Sequence, residues 1–252
     1  MHILKTIWAI YFLTIFVVFL LISAIFISVV LLFFGNRAIR PVMWWSYNII
    51  GRVPIFLAGV WVKVKGKENI ERKKSYVLVS NHQSYLDAIV NGSSFPGVFK
   101  FLAKAELSKP PVFGYLIKRI CILTDRSNKA SRIKSFQSMV NALKEGYSIM
   151  IYPEGTRNLT DRPLLKFYDG AFKLAIDSGT PILVQTLINS GNLLQSHKAK
   201  MRPGFIIAVW EAPISTEGMT KDDIPELKEK VRVIMLEKLK TYNASQSIEA
   251  PG

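Results

Sequence analysis

A histidine five residues ahead of an aspartate, both just past the end of an apolar run, is the arrangement in this sequence with the clearest chemical potential. Tyr76-Val77-Leu78-Val79-Ser80 reads as a buried strand and runs straight into Asn81-His82-Gln83-Ser84-Tyr85-Leu86-Asp87. On one continuous helix, positions five apart point about 140° away from each other, so His82 and Asp87 can meet only across a turn. With Ser84 as the N-cap of a following helix, His82 falls in the strand-to-helix turn and Asp87 in the first helical turn. Asp87 then accepts a hydrogen bond from one ring nitrogen and leaves the other free to take a proton. Ser84 with an acid three residues on is equally a plain helix start, and spacing alone does not separate the two readings.

A second constellation follows another buried run. Ile149-Met150-Ile151-Tyr152 ends in Pro153-Glu154-Gly155-Thr156-Arg157-Asn158. Gly155 permits close backbone approach, Thr156 offers a hydroxyl, and the planar fork of Arg157 suits phosphate oxygens, so an anion site at a strand end is one reading. A polar turn with a solvated arginine is the other.

The elements that must position these residues come from periodicity. Short apolar runs at Tyr76–Ser80, Phe99–Ala103, Ile120–Thr124, Tyr147–Tyr152, Ile182–Leu187 and Phe205–Trp210 predict strands. Between them, helices are expected from Ser84, over Val112–Lys118, Lys129–Lys144 and Gly170–Asp177. A last helix runs from Ile224 to Thr241, capped by Asp223, with Pro225 in its first turn and an apolar stripe of Leu227, Val231, Ile234 and Met235; Asn243 to Gly252 is expected to be a loose tail. This is an α/β pattern, a mixed sheet covered by helices.

An apolar segment comes before the sheet. Thr6 to Gly35 holds no charged residue, and Ile7 to Phe34 is almost continuously apolar, which exceeds the roughly 20 residues needed to cross a bilayer. The h-region of a cleaved signal is only about 7–15 residues and no small-residue cleavage site follows, so the segment reads as a retained membrane anchor. Trp44 and Trp45 beside Arg37 and Arg40 suit the membrane interface. The boundary is expected at Lys63–Lys67, giving a membrane-anchoring helical segment over 1–65 and an α/β domain over 66–252. Across the chain 33 Lys and Arg oppose 18 Asp and Glu, a net charge of +15, and half of the residues are hydrophobic. Charge alone fits nucleic acid or anionic lipid; the apolar segment favours lipid. Basic residues flank the far end of that segment, which places the following domain in the cytoplasm, and the lone Cys121 agrees with a reducing compartment.

Asn81-His82-Gln83-Ser84-Tyr85-Leu86-Asp87 resembles the NHxxxxD motif of glycerolipid acyltransferases, and Glu154-Gly155-Thr156-Arg157 resembles their EGTR motif. Order and spacing fit as well, and the resemblance to the 1-acylglycerol-3-phosphate acyltransferase family runs from about Gly66 to Trp210. Further segments are similar: Phe101 to Leu107 with Lys104, Ile122 to Arg126, and Thr180 to Val184. The chain departs from the family where Val184 replaces a second proline and where Phe167-Tyr168-Asp169-Gly170 stands for Phe-Lys-Lys-Gly.

The resemblance implies transfer of a fatty acyl group from a coenzyme A or acyl-carrier-protein thioester to the hydroxyl of lysophosphatidic acid or another lysophospholipid, at the inner (plasma) membrane. His82 would be the general base and Asp87 its tautomer-fixing partner, since a neutral imidazole with a reference pKa of about 6.5 suits proton abstraction near neutrality. Arg157 would hold the acceptor phosphate, with Lys104 and Arg126 helping, while Glu154, Gly155 and Thr156 build the binding loop. The thioester is a co-substrate; no metal and no further cofactor are expected, and no nucleic-acid partner. Two other readings remain. One is a hydrolase with Cys121 as nucleophile and His82 as its base, against which Cys121 stands inside the apolar run Ile120 to Leu123. The other is a non-enzymatic, basic, membrane-binding protein.

Overall fold

The computed structural model describes residues 2–125, 127–195 and 198–248. Its centre is a seven-stranded sheet in the order β1-β9-β6-β2-β5-β3-β4. These strands are β1 (Val60–Lys65), β2 (Val77–Ser80), β3 (Phe99–Lys104), β4 (Cys121–Thr124), β5 (Ser148–Ile151), β6 (Ile182–Ile188) and β9 (Gly204–Trp210). Strands β6, β2, β5, β3 and β4 run parallel; β9 is antiparallel to β6 and β1 is parallel to β9. The mixed sheet is thus as expected. A short helix, α8 (Ser190–Leu193), leads into a two-stranded ribbon, β7 (Leu194–Gln195) with β8 (Lys200–Met201), that lies apart from it.

The central strands are buried on both faces, which is why they read as unbroken apolar runs. Val77, Val79, Ile149, Ile151, Ile182 and Val184 point to one side, against α6 (Lys129–Lys144), α7 (Gly170–Ser178) and α9 (Ile224–Ile248). Helix α6 buries Ser135, Met139, Ala142 and Leu143, and α9 buries Leu227, Val231, Met235 and Leu239, the spacing that keeps one helical face toward the sheet. Leu78, Met150 and Leu183 point the other way, to Phe95, Phe99 and Trp210. Helix α4 (Leu86–Ser94) covers that side with Leu86 and Val90.

Two boundaries differ from expectation. Strand β1 falls before residue 66, yet it pairs with β9 through six residues from Val60↔Gly204 to Lys65↔Val209, so the sheet begins within the segment assigned to the anchor. It is an edge strand alternating valine with Trp61, Lys63 and Lys65 and half exposed, and its charges disguise it beside the apolar segment. Helix α9 continues to Ile248, through residues expected to be tail, because nothing from Asn243 to Ile248 is a Gly or Pro that would stop it. Asp223 does not cap α9 directly: it forms a capping box with Thr220 around a 3-10 turn, Lys221–Asp223, that leads into the helix.

The N-terminal segment is a hairpin. Helix α1 (His2–Phe34) turns at Gly35, which adopts φ +56°, and the chain returns through α2 (Ile39–Trp45), a π turn at Ser46–Ile50 and α3 (Arg52–Leu57). Ala9 and Phe12 near its start pack with Ile55 and Ala58, whereas Ala24, Ile27 and Leu31 pack with Ala38 and Val42. That pairing of start with end defines two antiparallel arms. Both ends of the hairpin are fixed to the body. At the base α1 packs on β8 and Trp8 Nε1 donates to Ala58 O at 3.0 Å. At the tip Arg119, on α5 (Pro111–Ile120), donates to Asn36 Oδ1 at 3.2 Å, and the Arg40 guanidinium bonds Glu145 O and sits 4.3 Å from the Tyr147 ring.

At 1.5 Å per residue α1 is about 50 Å long, and a span would carry its tip far from the body. Instead it lies along the body with Ile3, Ile7, Ile10, Leu21, Ile25 and Leu32 exposed in a long apolar face. The expected anchor is a helix long and apolar enough to cross a membrane, and here it is laid alongside the domain. With protein added outside sealed phospholipid vesicles, Arg37→Cys in a Cys121→Ser background should remain unlabelled by a maleimide trapped inside. Internal labelling would mean that the hairpin crosses.

Candidate active site

Strands β2 and β5 are parallel neighbours in the register Val77↔Ile149 to Val79↔Ile151, so the loops at their carboxyl ends emerge side by side. One carries His82 and Asp87, the other Glu154 to Asn158. The sheet topology alone brings together two segments about seventy residues apart.

The histidine loop is organised by a single oxygen. Asp87 Oδ2 accepts from His82 Nδ1 at 2.9 Å, from the Gln83 backbone N–H at 2.6 Å and from the Ser84 backbone N–H at 2.7 Å. The Asp87 side chain is fully buried, while that of His82 keeps 17% exposure. A carboxylate cannot donate, so Nδ1 carries the proton toward Asp87 and Nε2 is the basic atom; among the described residues Nε2 has no hydrogen-bond partner. Helix α4 starts at Leu86 after Tyr85, not after Ser84. The Ser84 hydroxyl still accepts from the Leu86 N–H at 3.3 Å, as a cap does, while donating to Leu194 O at 3.0 Å, which ties the loop to β7; Asp87 in turn accepts from the Ser84 N–H. Asn81 straddles β6, donating to Leu187 O at 2.8 Å and accepting from Leu187 N–H at 2.7 Å.

The second loop grips the first. Glu154 Oε1 accepts from the His82 backbone N–H at 2.9 Å and Oε2 from the Leu165 N–H at 2.8 Å, while the Asn158 N–H donates to His82 O at 2.6 Å. Both peptide groups flanking the imidazole are therefore tied to the neighbouring loop. Glu154 is 1% exposed; burial pushes its carboxyl above the usual range, opposed by the two backbone donors. One of its oxygens thus holds the His82 loop and the other its own, as expected of a residue that builds the binding loop. Gly155 makes the turn at φ +71° and Thr156 is exposed. The Arg157 guanidinium lies 3.7 Å from the centre of the Tyr85 ring and donates to its hydroxyl at 2.9 Å. Since Tyr85 stands three residues after His82 and Asn158 bonds His82, this cation is held beside the imidazole loop.

Lys104 ends β3, at the same sheet edge one strand beyond β5, with its ammonium 3.3 Å from Glu106 and well exposed. Arg126 lies outside the described residues. Cys121 is registered with Phe101, Phe101 with Met150, and Met150 with Leu78, which separates it from β2 by three strand spacings, roughly 14 Å. Burial also pushes its thiol up to about 12, so the pairing of Cys121 with His82 is excluded.

Sequence reasoning missed Asn158, Tyr85 and Tyr152. The imidazole stacks on the Tyr152 ring with centroids 3.9 Å apart and planes 9° from parallel. An aromatic at the last position of a buried run was visible; its contact was not.

The acyltransferase family model matches residues 61–186. The 1-acyl-sn-glycerol-3-phosphate acyltransferase of Saccharomyces cerevisiae is 34% identical over 81% of this chain and 68% of its own length. The human 1-acyl-sn-glycerol-3-phosphate acyltransferase alpha is 32% identical over 72% of this chain and 64% of its own. The chain thus spans about two thirds of these curated relatives. The crystal structure of the 1-acyl-sn-glycerophosphate (LPA) acyltransferase PlsC from Thermotoga maritima superposes with a TM-score of 0.80 over 97% of this chain and 98% of that one, at 22% identity, which extends the likeness of fold to the N-terminal hairpin. These findings bear out the resemblance carried by the two motifs.

Glu154→Ala leaves two buried backbone donors unpaired and should destabilise the domain by roughly 2–4 kcal/mol, read as a lower denaturant midpoint. Turnover should fall without a change in the relative use of phosphate-bearing and phosphate-free acceptors. A selective loss of phosphate-bearing acceptors would show that Glu154 acts on the acceptor itself.

Proposed function

We propose a function for a chain that belongs to the acyltransferase family: transfer of a fatty acyl group from a coenzyme A or acyl-carrier-protein thioester to the free hydroxyl of lysophosphatidic acid, giving phosphatidic acid. The observation that carries this reading is the His82 Nδ1 to Asp87 Oδ2 bond of 2.9 Å with Nε2 left free at a strand end. The substrate hydroxyl gives its proton to Nε2 as its oxygen bonds to the thioester carbonyl carbon. The resulting imidazolium is stabilised by Asp87, and collapse of the tetrahedral intermediate breaks the carbon–sulfur bond. The departing thiolate then takes the proton from Nε2. The nucleophile belongs to the substrate, so no side chain of the enzyme is acylated, and every proton is accounted for without a metal or further cofactor.

Arg157 is suited to the acceptor phosphate. Its stack on Tyr85 fixes the plane of the fork, and a pre-oriented guanidinium loses less freedom when it meets a phosphate. Lys104 would add positive charge at the same edge. The apolar face of α1 would rest in one leaflet, with the catalytic domain in the cytoplasm against the inner membrane. The chain's positive charge favours an anionic lipid surface and acceptor.

In detergent, with lysophosphatidic acid and an acyl thioester, His82→Ala should lower kcat by about 10²–10⁴. Turnover at the wild-type rate would end the general-base assignment. Arg157→Ala should raise the KM for lysophosphatidic acid by about 10- to 100-fold and leave that for an uncharged monoacylglycerol nearly unchanged. Equal effects on both acceptors would remove the phosphate role.

A further inference from the structure

Three of the four restraints on His82 act on its backbone or on Nδ1: Glu154 on its N–H, Asn158 on its carbonyl and Asp87 on the ring nitrogen. None of them fixes the tilt of the imidazole about the bond to Asp87. The Tyr152 ring does, because it covers one face of the imidazole at 3.9 Å with planes 9° from parallel. The aromatic ring of Phe101 lies in turn 6.5 Å from that of Tyr152.

Tyr152 is itself anchored by more than apolar packing. Its hydroxyl donates to Asn91 Oδ1 at 2.5 Å, the Asn91 amide bonds Gln185 Oε1, and Gln185 Nε2 donates to Ser94 Oγ at 2.7 Å. Asn91, Gln185 and Ser94 are buried. Polar groups so placed are costly unless each has a partner, and a connected set with one satisfied arrangement gives the tyrosine one position. A phenylalanine would fill the same space and leave Asn91 Oδ1 without its donor. Burial, together with the nearby Asp87 charge, pushes the Tyr152 phenol well above its usual value, so it remains an O–H donor.

We propose that Tyr152 is a positioning residue for the general base: its ring face sets the plane of the His82 imidazole and stabilises the imidazolium formed as the acceptor hydroxyl loses its proton. The inference rests on the acyl-transfer reading above and adds a residue that neither motif contains. Its physical basis is the negative face of an aromatic ring against a ring that becomes cationic only during the reaction, so the contact strengthens on the way to the transition state. Among the described residues the charged groups nearest the His82 loop are the Asp87 carboxylate on α4, the Glu154 carboxylate at the His82 N–H and the Arg157 guanidinium held on Tyr85, and the test leaves all three in place.

The test replaces Tyr152 with phenylalanine, then 4-fluoro-, 3,5-difluoro- and 3,4,5-trifluorophenylalanine, and separately with leucine. Turnover is measured with lysophosphatidic acid and an acyl thioester that the wild type uses. Fluorination weakens the negative ring face with little change in shape. From phenylalanine to the trifluoro ring, kcat should fall stepwise by up to about tenfold, with KM held within about twofold. Tyr152→Leu should lose about thirtyfold in kcat, and the acid limb of its kcat/KM profile should move to lower pH. A flat fluorination series, or a leucine variant within about twofold of wild type, overturns the proposal. Should the leucine variant fail to fold, the near-isosteric ring series decides alone. Failure of the underlying reading looks different: His82→Ala would then retain activity whatever occupies position 152.

Discussion

Much of this structure serves to keep one carboxylate oxygen in place. Asp87 Oδ2 takes three donors from three consecutive residues, two of them backbone N–H groups and one the imidazole. The same bonds that would make His82 a base also start helix α4, so helix start and the His82–Asp87 pair cannot be separated. This resolves the ambiguity that spacing left open. A capped helix and an oriented histidine are one arrangement, because an acid in the first helical turn can reach back to the residues preceding it only if they form the turn that presents His82.

Such a bond needs a rigid frame, and the frame is the adjacency of β2 and β5. Parallel neighbours deliver their carboxyl-terminal loops to the same edge. Glu154 and Asn158 then hold both sides of the His82 peptide unit. Burying Glu154 is costly, as the upward shift of its carboxyl records, and the two backbone donors offset that cost. The EGTR loop therefore divides its labour by position: the glutamate faces inward as a clamp, the glycine makes the turn, and the arginine stacks on Tyr85.

How much could be read from sequence follows from the range of each interaction. The six buried or half-buried strands and the four main covering helices were legible because burial on both faces, or on one helical face, leaves a local pattern of apolar residues. Strand β1 was not, since an edge strand alternating valine with tryptophan and lysine beside a long apolar segment resembles the end of that segment. Composition showed that α1 is apolar but could not show its direction. That depends on Gly35 reversing the chain and on contacts such as Arg119 to Asn36, across 83 residues. The inward role of Glu154 was hidden for the same reason, because it depends on the Leu165 N–H and on a backbone group 72 residues earlier.

The same long-range logic joins the catalytic loop to the apolar hairpin. Ser84, two residues after His82, bonds Leu194 in β7; β7 pairs with β8; and β8 packs on α1 near its start. The chain of contact from imidazole to apolar face thus passes through two short strands and one hydroxyl. An acceptor whose acyl chain stays among lipids while its hydroxyl reaches Nε2 needs its site at a fixed distance from the apolar surface. Here that distance is set by folded structure, not by a flexible linker. The hairpin is in this sense part of the site's geometry: loosening it where it joins the body would move the His82 loop relative to the apolar face.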